Sequence, residues 1–420
     1  MNISVFSRIQ NRKWTCADIF ILVSASGIIL FFVLLIILRQ RGLEWIVMGN
    51  NPDFIATDFQ LAELWGQKLG KGVYDDTEII YPPLTLLFFN YISRITTFSP
   101  LEYNKFAVLQ NEYQLMILFL YIVLPIIWLY NCFQTIKIKK SKILMLMLCI
   151  ICSVPMFAGA IEKCNVILYT IPLTLTALKF KESNNSIKRE TALVFIALAS
   201  AMKIFPAVLG IIYLKEKRFK EALRLYIYCC ITILVPFIFA GGLEGIRKYL
   251  RNASLRNEYY KERFEYFKGL LAFFNINGIL LSIMYFLFIA LLIFLVIFTK
   301  NKFREYVFIA SFIAFVPNNA FLYMLLWFLI PLIYLLRNES IILTSTLMDK
   351  VNVFLLANIF TIPTILGIIT KFKMNYDDPY RTCVVSYIYF FAWLLLSIQI
   401  ILEIRAIVVN KEWQTIKKQR

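Results

Sequence analysis

Long hydrophobic runs separated by short basic segments dominate the chain. A helix that crosses the hydrocarbon core of a bilayer needs about 20 predominantly apolar residues. Runs of about that length therefore predict an all-α polytopic membrane protein with about ten spanning helices once two irregular regions are included. The regular runs cover residues 18–38, 107–131, 143–159, 165–180, 225–241, 276–299, 351–370 and 382–404.

The composition agrees with this pattern. Of the 420 residues 60% are hydrophobic, and the mean hydropathy is +0.71, whereas a soluble domain is only about 45–50% apolar. This composition excludes a water-soluble fold and predicts one multi-pass membrane domain, residues 1–420. The same composition predicts that membrane lipid is a partner of the chain.

The net charge of +18, from 44 basic and 26 acidic residues, lies mainly in short segments between the apolar runs. Basic residues in such segments hold them on the cytoplasmic side. We therefore interpret the charge as topology and predict no nucleic-acid binding, a cell-membrane location, both termini in the cytoplasm and an external loop over residues 39–106. The basic positions that set this orientation are Arg12, Lys13, Lys137, Lys139, Lys140, Lys142, Lys188, Arg189, Lys411, Lys417, Lys418 and Arg420.

Two membrane segments depart from the regular pattern. Residues 191–214 have basic clusters on both sides and carry Lys203 and Pro206 at their centre, which predicts a broken, re-entrant hairpin that returns to the cytoplasm. Residues 305–336 are two half-length apolar runs joined by Pro317, Asn318 and Asn319. Whether either segment crosses fully stays open at this point.

The first external loop carries the clearest candidate chemistry. Histidine is absent, so acid-base work would fall to carboxylates. Asp58 opens an amphipathic segment, Asp58–Leu69, that suits an interfacial helix, and Pro82–Ile95 is predicted to lie parallel to the membrane. From spacing alone, the simpler interpretation is that Asp58 and Thr57 cap a helix.

Basic side chains supply the second set of candidates. An ionisable residue within a membrane segment, such as Lys203, is costly and predicts a functional site with an anionic partner, although a snorkelling lysine explains it equally well. The external loop 242–275 is basic against the usual rule, and its Arg247, Arg251 and Arg256 could bind a phosphate head group or anionic lipid.

Short motifs in order along the chain resemble the polytopic glycosyltransferases of the GT-C fold, especially family 87, the polyprenyl-phosphate-mannose-dependent mannosyltransferases. The eukaryotic mannosyltransferase that assembles GPI anchors is similar at the same places, although its paired-acid motif is missing here. The matching pieces are TDF at 57–59, GKGVY at 70–74, YPPL at 81–84, KIFP at 203–206 and FLYMLLWFLIP at 321–331.

The resemblance implies that Asp58 is the catalytic base of an inverting hexosyltransferase acting outside the cytoplasm. A polyprenyl-phosphate sugar, with mannose expected, would be the donor, and a glycan or glycolipid the acceptor. Lys203 and the three loop arginines would bind the donor phosphate. Further substrate contacts are expected from Tyr81, Glu162, Asn318, Asn319 and Tyr323.

The family pattern differs here in one place. Members often carry a Gly-Asn pair in the second external turn, where this chain reads AGAIEKCN at 158–165. No metal ligands are predicted, and the use of a divalent cation stays open.

Two other functions fit parts of the pattern. A flippase or transporter of a lipid-linked sugar would also use broken helices and a buried lysine, but it would not need the acidic external loop. A polymerase of surface polysaccharide is the other alternative.

Overall fold

The computed structural model confirms the all-α prediction for the part of the chain that it describes, where all regular secondary structure is helical. The described residues are 14–38, 56–70, 72–96, 112–259, 267, 271, 274, 276, 278–317, 322–342, 345–362 and 379–419.

The α-helices of these residues follow the predicted apolar runs closely but are often shorter. In chain order they are α1 Cys16–Leu38, α2 Thr57–Gln67, α3 Pro83–Thr96, α4 Glu112–Phe133, α5 Lys140–Ile151, α6 Ile167–Lys181, α7 Ser186–Met202, α8 Gly210–Lys215, α9 Phe219–Leu234, α10 Gly242–Tyr259, α11 Gly278–Phe298, α12 Lys302–Phe315, α13 Leu329–Ile342, α14 Leu347–Ile359 and α15 Pro379–Gln419.

Irregular helical turns interrupt this series. A π-helical turn spans Phe157–Ile161, and 3₁₀ turns span Val73–Asp75, Phe205–Leu209, Val235–Ala240 and Leu322–Phe328.

Six helical stretches among the described residues are long and apolar enough to cross a membrane. The predicted count of about ten spans is therefore not confirmed. The run 143–159 divides because its helix ends at Ile151 before the π turn, and the run 165–180 forms a helix of only 15 residues. The six stretches are Cys16–Val33, Glu112–Phe133, Phe219–Ala240, Gly278–Phe298, Leu322–Glu339 and Val385–Val409.

The stretch Leu322–Glu339 forms the centre of the bundle. In this stretch 72% of the residues are buried inside the protein, whereas no other of the six exceeds 33%. The other five stretches therefore present most of their apolar side chains outward, as helices do when lipid is their solvent. Trp327 and Phe328 are fully buried in this central stretch.

Ion pairs gather one set of helix ends at what we call the Lys181 face. Lys181 at the end of α6 bonds to Glu216, just after α8, with 2.6 Å between Nζ and Oε2. Lys302 at the start of α12 bonds to the other oxygen of Glu216 at 2.7 Å. Arg304 pairs with Glu403 of α15 at 2.8 Å. The charges of the basic connections thus neutralise acids from several helices at one end of the bundle.

The opposite end, which we call the Asp58 face, carries the two helices predicted for the first external loop. The predicted segment Asp58–Leu69 forms α2, and Pro82–Ile95 forms α3. They pack so closely that a Cβ on Gly66 would lie 2.7 Å from the backbone N of Asn90. The Asn90 side chain donates to the Gly66 carbonyl at 2.6 Å. The orientation of α3 parallel to the membrane stays a prediction.

The chain reverses direction within 191–214, next to Pro206. Helix α7 leaves the Lys181 face and ends at Met202, whose carbonyl accepts a hydrogen bond from Thr85 of α3 at 2.9 Å. The 3₁₀ turn and α8 then lead back to Glu216 on the Lys181 face. Because the structure contains no membrane, the re-entrant placement of this segment stays a prediction.

Helix α10 begins the basic segment 242–275 and is held to the first loop by one buried side chain. Asn252 donates through Nδ2 to the carbonyls of Tyr74, Asp76 and Ile79 at 3.1, 2.8 and 3.3 Å. Tyr74, Phe237 and Tyr249 pack around this contact with ring centroids 5.4 to 5.9 Å apart. The segment 242–259 therefore lies on the Asp58 face.

Replacing this amide tests the attachment. We expect Asn252→Ala to lower the stability by about 1–3 kcal/mol, because buried carbonyls lose their donor. Hydrogen exchange of 73–79 should quicken together with a lower thermal unfolding midpoint in detergent. The exposed Ser254→Ala on the same helix is the control, and equal protection of 73–79 in both variants would contradict this role.

Candidate functional site

Asp58 lies where the start of α2 meets the turn between α5 and α6. The backbone N–H of Ala56 donates to the Glu162 carbonyl at 2.7 Å, and that of Asp58 donates to the Lys163 carbonyl at 3.1 Å. Two segments about 100 residues apart in sequence are thereby joined at the first turn of α2. The backbone bonds place the Asp58 side chain against residues 162–165.

The alternative that Asp58 merely caps its helix is wrong. The N-cap residue of α2 is Ala56, which makes no side-chain cap bond, and Asp58 is the second residue of the helix. Its carboxylate instead accepts a hydrogen bond from Asn165 Nδ2, with 2.5 Å to Oδ2. This carboxylate has a tertiary partner and not a local capping role.

Asn165 is a site residue that the sequence analysis missed. Its Nδ2 also lies 3.4 Å from the Tyr81 hydroxyl, and its Oδ1 accepts from the Ile167 backbone N–H at 3.0 Å. The amide is buried and is oriented by the start of α6. The sequence did carry a signal for this residue, an asparagine just before an apolar run in the turn between α5 and α6. The glycine that the family pattern places immediately before it is absent.

Left-handed backbone occurs on both sides of this contact. Ala56 has φ 53° and Cys164 has φ 51°, a region in which residues with a Cβ are uncommon. Such conformations cost about 1–3 kcal/mol each and cluster at functional sites, where the surrounding structure holds them. Here they turn the chain so that Asp58 and Asn165 meet.

Lys203 lies beside the carboxylate, at the break between α7 and the 3₁₀ turn. Its side chain is buried, with Nζ 3.8 Å from the centroid of the Tyr323 ring. Lys203 also interacts electrostatically with Asp58. The bond from Thr85 to the preceding carbonyl fixes the backbone at this point. A buried lysine amine is therefore positioned near a partly buried carboxylate.

Tyr81 completes the polar group and stays protonated at neutral pH. Burial raises the pKa of its hydroxyl well above the ordinary value, and the nearby Asp58 adds to this rise. The hydroxyl of Tyr74 donates to the Tyr81 carbonyl at 2.8 Å and holds the backbone before α3. Tyr81 therefore presents a neutral phenol to the site.

Tyr323 reaches the site because the central 3₁₀ turn packs directly on the π turn. A Cβ on Gly159 would lie 2.9 Å from the backbone N of Tyr323 and 3.2 Å from its Cα. Only glycine permits this approach of the two backbones. The position of the Tyr323 ring beside Lys203 thus depends on Gly159, in the π turn between α5 and α6.

The structure brings together four predicted residues, Asp58, Lys203, Tyr81 and Tyr323, while Glu162 contributes its carbonyl to the same corner. Arg247 and Arg251 are exposed on α10, and the described residues include no contact between them and Asp58. The Arg251 guanidinium lies 3.3 Å from the Asn252 side chain. The predicted residues that lie outside the described part are the Arg256 side chain, Asn318 and Asn319.

This arrangement combines a carboxylate that can accept a proton with a lysine amine that, when protonated, can stabilise developing negative charge. The Asn165 amide orients the carboxylate and also donates to the phenol oxygen of Tyr81. Among the described residues no three His, Cys, Asp or Glu side chains come together in a way that could hold a metal ion.

Comparison with models of known protein families identifies a family for this chain. The model of glycosyltransferase family 87 matches residues 80–323, more than half of the chain. Neither the curated proteins nor the solved structures include a significant match. The matched range contains Tyr81, Asn165 and Lys203 and ends at Tyr323, whereas Asp58 precedes it. The position of Asp58 in the site is therefore a result of the structure.

The close approach at Gly159 yields a prediction. Gly159→Ala would overpack the turn by about 1–3 kcal/mol and should lower the thermal unfolding midpoint in detergent. Gly210→Ala is the matched control, since its Cβ would meet only a Leu225 methyl at 3.7 Å. An unfolding midpoint of Gly159→Ala at or above that of Gly210→Ala would contradict the proposed tight contact.

Proposed function

The chain belongs to glycosyltransferase family 87, and we propose that it is an inverting enzyme that transfers mannose from a polyprenyl-phosphate carrier to a glycan or glycolipid. Transfer takes place at the Asp58 face. The observation that carries the proposal is the group formed by a partly buried Asp58 with the buried Asn165, Lys203 and Tyr323, next to breaks in the helices.

Asp58 is proposed as the general base. One carboxylate oxygen, Oδ2, is held by Asn165, and Oδ1 accepts no hydrogen bond from the described residues. Oδ1 would take the proton of the acceptor hydroxyl while that oxygen attacks the anomeric carbon of the sugar. A positioned base of this kind contributes about 10²–10⁴-fold to the rate. Attack from the side opposite the phosphate inverts the anomeric centre.

Lys203 is proposed to stabilise the leaving group. As the bond between the anomeric carbon and the phosphate oxygen breaks, its electron pair remains on the lipid phosphate. A fixed ammonium aimed at that growing charge lowers the barrier, most strongly where water is excluded. The ring of Tyr323 below Nζ holds the ammonium through a cation–π contact. Arg247, Arg251 and Arg256 would attract the donor phosphate to the same face.

A lipid-linked donor suits the position of this group. The polyprenyl chain can remain in hydrocarbon while its phosphate reaches Lys203, next to the ends of α3 and α7. Mannose as the sugar rests on the resemblance to the mannosyltransferases. Tyr81 and Glu162 are proposed to contact the sugar or the acceptor.

The topology proposed for the enzyme follows from its charges. The described residues of the Lys181 face carry the basic connections around Lys142, Lys188 and Lys215, so this face is assigned to the cytoplasm. The Asp58 face then lies outside, and both termini are cytoplasmic in a cell membrane. Family membership favours an enzyme over the carrier alternative, and a polysaccharide polymerase would differ in donor and acceptor.

The role of Asp58 is tested in membranes that contain the full chain and labelled polyprenyl-phosphate mannose. Asp58→Asn should transfer mannose about 10²–10⁴-fold more slowly at equal protein level, because the amide cannot take the proton. Asp75→Asn is the matched control, since Asp75 lies in the same loop and is exposed, paired with Lys248 at 2.5 Å.

Equal transfer by wild type and Asp58→Asn would overturn the proposed base and retain the enzyme class. No transfer by wild type from the mannose donor, with transfer from a lipid-diphosphate oligosaccharide, would favour the polymerase. Translocation of a labelled lipid-linked sugar across vesicles without transfer would favour the carrier.

Lys203→Gln tests the stabilisation of the leaving group. The substitution keeps a polar side chain of similar length and removes the charge, so kcat should fall by about 10²–10³-fold. Lys203→Arg should recover part of the rate. Lys248→Gln, which removes an exposed charge on the same face, should leave the rate within about twofold. An unchanged kcat in Lys203→Gln with only a higher KM would assign the lysine to substrate binding alone.

A further inference from the structure

A cavity lies at the Lys181 face, away from Asp58. It has a volume of about 320 Å³ and opens between α4, α6, α12 and α13. Helix α6 connects the two places, with Asn165 just before its start and the cavity at its end, a length of roughly 22 Å for 15 residues. The cavity therefore belongs to a different site from the proposed transfer reaction.

The wall of the cavity changes from apolar to charged towards its mouth. On α6, Leu175 and Leu178 precede Lys179 and Glu182, which lie at the helix end on the Lys181 face. On α13 the order along the chain is the same, because this helix also runs towards the Lys181 face. Here Ile330 and Ile333 lie deeper, and Tyr334 and Arg337 nearer the mouth. Both helices therefore present the same gradient to one ligand.

The carboxylates of the cavity are already engaged by lysines of the protein. Glu216 accepts hydrogen bonds from Lys181 and Lys302, and Glu182 accepts one from Lys181. Burial opposes ionisation of Glu216, but the hydrogen bonds from these lysines outweigh it and keep its pKa below the ordinary value. Glu216 therefore stays charged, and its charge is balanced within the protein by Lys181 and Lys302.

Two further cations lie at the mouth. Lys179 and Arg337 both line the cavity and both are exposed. The described lining of the cavity thus holds three basic side chains, Lys179, Lys302 and Arg337, against the two acids Glu182 and Glu216, and Lys181 pairs with both acids. A neutral lipid would not require these charges, and a small water-soluble anion would not require the apolar depth.

We propose that this cavity binds an anionic phospholipid of the leaflet at the Lys181 face. Its phosphate lies between Lys179 and Arg337, and the first part of one acyl chain lies against the leucines and isoleucines. Basic pockets between membrane helices bind anionic head groups in this way, and the volume falls within the usual range of about 300–1,000 Å³ for ligand sites.

The test uses the purified full chain in a neutral detergent, titrated with phosphatidylglycerol or phosphatidylcholine and followed by native mass spectrometry. We expect phosphatidylglycerol to bind more tightly, and the double variant Lys179→Gln with Arg337→Gln to weaken that binding on the order of 10-fold or more. The double variant Lys179→Arg with Arg337→Lys should retain it, because both charges remain.

A matched control is the double variant Lys188→Gln with Lys220→Gln, which removes two exposed lysines of the same face outside the cavity. It should bind phosphatidylglycerol as wild type does. Thermal unfolding of each lipid-free variant checks that the fold is intact.

Three results would overturn the proposal. The first is an equal loss of binding in the cavity and control variants, which would indicate a diffuse surface effect. The second is equal stabilisation by inorganic phosphate alone, which would assign a soluble anion. The third is displacement of phosphatidylglycerol by equimolar polyprenyl phosphate, which would make the isoprenoid the occupant.

Discussion

Backbone polar groups inside a membrane need partners within the protein, and this requirement decides where the chain can leave the helical conformation. The π turn Phe157–Ile161, the 3₁₀ turn Phe205–Leu209 and the 3₁₀ turn Leu322–Phe328 are such departures. All three meet at the corner where α2 joins the bundle. The polar side chains at this corner therefore lie next to backbone N–H and C=O groups that already find hydrogen-bond partners within the protein.

The same constraint explains why the proposed chemistry depends on long-range contacts. The Asp58 carboxylate, at the start of α2, is held by the Asn165 amide from the turn between α5 and α6. Lys203 comes from the break after α7, and its Nζ lies over the Tyr323 ring from the centre of the bundle. Each of these groups is rigidly held because its neighbour belongs to a different packed segment. Such preorganisation lets a base and a cation act on charge that develops during the reaction.

The two faces of the bundle solve the problem of buried charge differently. At the Lys181 face, Lys181 and Lys302 pair with Glu216 and Glu305, so the charges of these four side chains are neutralised inside the protein. At the Asp58 face, the carboxylate faces an amide and a phenol as well as a lysine. The first arrangement stabilises helix ends and surrounds a cavity, whereas the second leaves groups that can exchange a proton and hold a phosphate.

The sequence alone determined the membrane class, the helical fold and the approximate places of most helices. These properties follow from local hydrophobic runs, and the apolar length of a run largely decides whether it is helical in lipid. The resemblance of short motifs also identified Asp58, Lys203, Tyr81 and Tyr323 as candidate site residues, because these motifs occur along the chain in the order seen in the family.

Only the tertiary structure decided that Asn165 holds the carboxylate, that Gly159 admits Tyr323 and that a cavity lies at the end of α6. Gly159 and the cavity have no local signature in the sequence, and the position of Asn165 before an apolar run does not show which side chain it contacts. An asparagine, a glycine and a lysine at a helix end are ordinary residues until packing brings distant segments together. The count of about ten spans is not confirmed among the described residues for a related reason: apolar runs do not show where a helix breaks, since the break is stabilised by its neighbours in space.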